Sequence, residues 1–148
     1  MTHRDPVQVL ASLRKLTVML RGSRSASPPD PHRVGRQMLG FLHAHVDAIM
    51  AFAGGADAGR VVHVDYYRLL DDPTEAMARA HAGLGIDSPA AVREAVALWQ
   101  RANPKGARGA NPCALADYGL DEADVVRAFG DYSNRFAIPR EAEGLERN

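Results

Sequence analysis

Several segments of this chain begin with a capping side chain directly before a proline: Asp5-Pro6, Asp30-Pro31, Asp72-Pro73 and Ser88-Pro89. This punctuation constrains the fold more than any other feature. The side-chain oxygen accepts from free amides of a first helical turn, and proline fills the position where a missing N–H costs nothing. Asp72 with Glu75, and Asp121 with Asp124, have the spacing of capping boxes. Helical spacing of apolar residues follows each start. Val9, Leu13, Leu16 and Leu20 form one stripe, and Val34, Met38, Phe41, His45, Ile49 and Phe52 a second. Met77, Ala80 and Leu84 form a third, stopping at Gly85, then Val92, Val96 and Trp99, and finally Val125, Phe129, Tyr132 and Phe136. Helices are predicted near 6–21, 31–53, 73–83, 89–102 and 121–134.

One stretch reads as a strand: Arg60-Val61-Val62-His63-Val64-Asp65, after the glycine-rich turn 54–59. A lone strand leaves backbone groups unpaired, and the residues before Arg4 are the candidate stub of a second one. The fold class is therefore mostly α with one or two short strands. Residues 21–29 (RGSRSASPP) read as a polar loop, and 139–148 as a charged, frayed tail. At 148 residues the chain is a single domain, 1–148, able to bury a modest core.

Lysine plus arginine number 18, as do aspartate plus glutamate. Zero formal charge argues against a nucleic-acid partner, which needs many phosphate contacts, but not against one small anion site. A single cysteine, Cys113, excludes an internal disulfide and suits a reducing compartment. No apolar run reaches the roughly 20 residues of a membrane span, and no signal-peptide pattern stands at the start. A cytoplasmic location is the expectation. No metal site is expected: His43 and His45 point to different helix faces, and the i, i+4 spacing is absent. His63 and Trp99 read as core, His3 as either exposed or near a ligand. Cys113 has no evident base partner.

The string His3-Arg4-Asp5-Pro6 is weak alone, since Asp5 can be a plain cap and Arg4 a surface charge. Its spacing adds weight. Arg4 followed eight residues later by Ser12, at a strand-to-helix junction, resembles the 3′-phosphate-binding segment of sulfotransferases that use 3′-phosphoadenosine 5′-phosphosulfate (PAPS). A forked guanidinium, a hydroxyl and a helix N-terminus are all suited to a phosphate. Tyr66-Tyr67-Arg68-Leu69-Leu70-Asp71-Asp72-Pro73 is similar to the family's segment after a core strand, with Tyr66 seven residues before the proline. Leu84-Gly85 resembles the end of its next helix, and Asn103 to Gly109 (NPKGARG) its basic, glycine-containing loop. Asp117-Tyr118-Gly119-Leu120, with Phe129, Tyr132 and Phe136 beyond, resembles the closing segment of the bacterial branch. That segment usually has His and Tyr shortly before it, where this chain has Asn111-Pro112-Cys113.

The resemblance covers nearly the whole chain but only the C-terminal part of the family's domain. It implies the C-terminal fragment of a P-loop-like α/β sulfotransferase domain, with sulfuryl transfer from PAPS to a hydroxyl or amine of a small-molecule acceptor. Arg4, Ser12, Tyr66, Lys105, Gly106 and Arg108 are the implied nucleotide-binding residues. Lys105 and Arg108 also suit a plain solvated turn. The 5′-phosphosulfate loop and the family's base have no counterpart among the residues, so the resemblance names no catalytic residue and implies a chain inactive alone. The alternative is a non-catalytic helical interaction module. Either way, apolar surface is expected to drive self-association or to meet a missing N-terminal half.

Overall fold

The computed structural model describes residues 1–104 and 114–141. Strand β1 is Thr2–His3, and helices α1 (Pro6–Gly22) and α2 (Pro31–Ala53) follow. A 3-10 turn at Ala58–Arg60 leads to strand β2 (Val64–Asp65), then α3 (Tyr66–Asp71), α4 (Pro73–Gly83) and α5 (Ala90–Ala102). A second 3-10 turn, Ala116–Tyr118, precedes α6 (Glu122–Ala128) and α7 (Gly130–Arg135). The chain is mostly helical, as expected, with two short strands. No helix among the described residues is long and apolar enough to cross a membrane.

The aspartate caps are where the sequence places them. Asp5 accepts from Val7 N, Asp30 from His32 N, Asp72 from Glu75 N and Asp121 from Ala123 N. Glu75 and Asp124 do not complete the capping boxes; they pair with Arg79 and Arg127, four and three residues on. Ser88 does not cap. The turn begins at Pro89 without a side-chain cap, and the Ser88 carbonyl accepts from Arg93. The predicted helix 121–134 is two helices broken at Phe129, whose φ of −112° and ψ of 15° leave the helical region just before Gly130. The unforeseen α3 starts on Asp65, which accepts from Tyr67 N.

The strand expected over 60–65 shortens to Val64–Asp65 because a ladder extends only as far as its partner. That partner is the stub before Arg4. The two strands pair in parallel, Thr2 against Val64 and His3 against Asp65. Parallel neighbours need a crossover, which α1 and α2 supply.

The core forms where α1, α2, α6 and α7 meet: Val7, Leu10, Ala11, Val46, Leu115, Val125, Phe129 and Tyr132, flanked by Met38, Leu42, Ile49 and Phe136. The last stripe is thus buried as predicted. The others rotate. On α1 the buried face is Val7, Leu10, Ala11 and Arg14, while Leu16 and Leu20 are exposed. On α2 Phe41 and Phe52 are exposed, and so is His45, whose ring bonds the Phe41 carbonyl. Met77, Leu84 and Trp99 face outward as well, so Trp99 is not core. These helices carry apolar residues on more than one face, and helical period alone does not select which face is covered.

Arg14 is fully buried. It donates to the carbonyls of Leu10 and Leu115, and its guanidinium lies 4.4 Å from the Tyr118 ring centroid. It ties α1 to the turn at Ala116–Tyr118, which also rests on α2 at Gly35. A Cβ built there would stand 2.4 Å from the Tyr118 carbonyl oxygen. In an open helix Gly→Ala gains up to about 1 kcal/mol. Gly35→Ala is expected instead to destabilise by about 1–3 kcal/mol, whereas Gly40→Ala, with no atom within 4 Å of its added methyl, should stabilise. Denaturant unfolding of the two variants checks this; equal effects would contradict the close approach.

Candidate anion and nucleotide site

The parallel register builds the site. His3 and Asp65 are aligned, so the next residues, Arg4 and Tyr66, emerge side by side from the C-terminal ends of the two strands. The Arg4 guanidinium lies over the Tyr66 ring, 4.6 Å from its centroid. Each strand then turns directly into an Asp-capped helix, α1 behind Asp5 and α3 behind Asp65. Crevices at the C-terminal ends of parallel strands are where α/β folds take ligands.

Arg4 already grips an oxyanion. Its Nε and Nη2 donate to the Glu141 carboxylate at 2.9 and 2.7 Å, with a further Nη2 contact of 3.0 Å to the second oxygen. The Tyr67 hydroxyl donates to the same carboxylate at 3.4 Å. Partial burial pulls the Arg4 pKa down, but the hydrogen bond to Glu141 together with the electrostatic pull of Tyr66, Glu141 and Tyr67 outweighs it and holds the guanidinium above its ordinary pKa. Burial pushes the Tyr67 hydroxyl up to about 12, so it is a donor at neutral pH.

Asp5, almost fully buried, anchors this cluster. One oxygen caps α1; the other accepts from Glu141 N at 3.0 Å and pairs with Arg140 Nε at 3.2 Å. Residues 139–141, read from sequence as the start of a frayed tail, therefore sit against the strand ends, with Pro139 buried.

Behind the strands lies a second cluster. His3, buried against expectation of an exposed or ligand-facing ring, bonds Tyr132 OH through Nδ1 at 2.7 Å and His63 Nδ1 through Nε2 at 2.8 Å. It stacks on Phe136, ring centroids 4.1 Å apart. Burial, and then the neighbouring His63, lower His3 to about 4, and burial lowers His63 too. His63 is not a core residue: it is solvent-exposed and lines a cavity of about 410 Å³ together with Arg68 and Arg79.

Of the residues singled out in the sequence, Arg4 and Tyr66 come together. Ser12 lies seven residues beyond the Asp5 cap, about 10 Å up the α1 axis, half-buried and without a hydrogen bond to Arg4. Lys105, Gly106, Arg108 and Cys113 lie outside the described residues. Sequence reasoning missed Tyr67, Arg140 and Glu141. The cap at Asp65 was a usable signal for Tyr67. None existed for the last two, which meet Asp5 and Arg4 from over a hundred residues away. Among the described residues no group of three or more His, Cys, Asp or Glu is placed to hold a metal ion.

Paired parallel strands thus feed Asp-capped helices, with an arginine at their C-terminal ends. The family model for the sulfotransferase family matches residues 1–90, and the chain belongs to that family. Its structure is similar to that of the sulfotransferase STF9 from Mycobacterium avium, with a TM-score of 0.82 and 25% identity, over 94% of this chain. The match covers 36% of the STF9 chain, so this chain spans little more than a third of that relative's length. No curated protein matches it.

Proposed function

We propose that this chain forms the 3′-phosphate-binding, C-terminal portion of a PAPS-dependent sulfotransferase. The observation that supports this most is the forked grip of Arg4 on a carboxylate at the strand ends, at 2.7–3.0 Å. The same fork suits a phosphate. In this reading Arg4 holds the 3′-phosphate, and the Ser12 hydroxyl is a second donor. The Tyr66 ring, already held under Arg4, borders the adenine. Lys105, Gly106 and Arg108, which lie outside the described residues, are further contacts to the phosphate in this reading. PAPS supplies an activated sulfuryl group for a hydroxyl or amine acceptor. Such transfer depends on positioning and charge stabilisation, and the residues named here contribute positioning of the nucleotide. None of them is a base toward the acceptor, so the 148-residue chain by itself is read as inactive.

Exposed apolar residues on α1, α2 and α5, among them Leu16, Met19, Phe41, Leu98 and Trp99, favour further protein packed against this portion. That cover is a second copy or the rest of a sulfotransferase domain.

Calorimetry with adenosine 3′,5′-bisphosphate and AMP tests the nucleotide reading. The bisphosphate should bind more tightly. Arg4→Ala should weaken it roughly tenfold or more, since one charge-assisted contact contributes about 1.5–3 kcal/mol, while AMP binding should change little. Equal affinity of the two nucleotides for the unmodified chain would sink the assignment.

A further inference from the structure

We infer that Glu141 is an intramolecular occupant of the Arg4 site, which an incoming phosphate must displace. The inference rests on the nucleotide reading above and adds to it a competitor carried by the chain itself. Arg4 is a cation at the strand ends, and its Nε and Nη2 both donate to one carboxylate. The Tyr67 hydroxyl completes the set of donors around that carboxylate. Two guanidinium donors and a hydroxyl on a single anionic group are also what a bound phosphate would receive. The two cannot be held at once: both are anions, and they need the same N–H groups.

The way Glu141 is mounted fits this role. Its backbone N–H is fixed on Asp5, and the preceding Arg140 pairs with Asp5 and with Glu122. The carboxylate is therefore presented to Arg4 by a segment held independently of that ion pair. It can leave by side-chain rotation while its backbone stays in place. Both side chains remain partly accessible, 29% for Arg4 and 22% for Glu141, so solvent and ligand can reach the pair.

The contact also sharpens selection. A nucleotide without a 3′-phosphate offers nothing to exchange for the carboxylate and leaves the pair intact. A phosphate, with more charge and more acceptor oxygens than a carboxylate, displaces it. Glu141 thus lowers the affinity for the bisphosphate and leaves AMP untouched.

The experiment compares the unmodified chain with Glu141→Gln by calorimetry against adenosine 3′,5′-bisphosphate and AMP. The variant should bind the bisphosphate about five- to tenfold more tightly, the scale of a partly exposed bidentate ion pair, with AMP unchanged. Unchanged or weaker bisphosphate binding by the variant, with the unmodified chain still preferring bisphosphate over AMP, would overturn the inference and spare the nucleotide reading. No preference in either protein would remove the nucleotide reading and the inference together. A second readout needs no variant. In the unmodified chain the Glu141 side-chain carboxyl carbon resonance should shift when bisphosphate, but not AMP, saturates the site. A resonance that stays in place under saturating bisphosphate would equally overturn the inference.

Discussion

Phe129→Ala is expected to lower the stability of the chain by about 3–5 kcal/mol, a large part of the roughly 5–15 kcal/mol available to a domain. Phe129 is 2% exposed and sits at the break between α6 and α7. The break turns its ring into the core beside Val7, Leu10 and Val125. Truncation removes the buried ring and leaves a cavity that the short helices on either side cannot close without giving up other contacts. Urea unfolding at neutral pH measures the loss. A change below about 1 kcal/mol would mean that this core is loosely filled.

Acid should destabilise the fold well before the carboxylates are all protonated. His3 has a folded pKa lowered to about 4, against an ordinary value of 6.5. Between those values the unfolded chain binds a proton at this position that the folded chain refuses, so stability rises with pH across the window. The stability contributed by neutral His3 is fully present above about pH 6.5 and is lost as pH falls toward about 4. His63, also lowered by burial, acts in the same direction. His3→Phe keeps a ring against Phe136 but cannot titrate. It should reduce stability at pH 7 by removing the bonds to Tyr132 and His63, and flatten the dependence between pH 6.5 and 4. Unfolding midpoints across that range give the slope, and an equally steep variant would place the acid sensitivity elsewhere.

Local chemistry made the helix starts legible. An aspartate before a proline specifies a first turn without reference to the rest of the molecule, and Asp5, Asp30 and Asp72 all cap as their spacing requires. Burial was less legible. Leu16, Leu20, Phe41, Phe52 and Trp99 have helical spacing and lie exposed, because which stripe is covered depends on neighbours far along the chain. Arg14 was overlooked for the same reason. A charged residue among apolar ones reads as solvent-facing until a carbonyl at Leu115 and a ring at Tyr118 are brought to it.

The candidate site divides along the same line. Arg4 and Tyr66 stand out in the sequence through the family resemblance, and the parallel register sets them side by side. Glu141 was not found. Its contact with Arg4 spans 137 positions, and a glutamate in a charged terminal stretch resembles any other solvated acid. The sequence singles out the arginine; only the fold brings the carboxylate paired with it into view.

The core that closes on α1 has a consequence for how the protein is made. Val7, Leu10 and Ala11 are covered by Val125, Phe129 and Tyr132, and Asp5 is completed by Arg140 and Glu141. A ribosome delivers the first set more than a hundred residues before the second. Through that interval α1 lacks the cover that Val125, Phe129 and Tyr132 supply. Such distant partners slow folding and leave apolar surface open to aggregation while synthesis continues. The residues that seal the first helix thus leave the ribosome more than a hundred positions after it, and nascent chains stalled before about residue 120 should be the forms that chaperones hold.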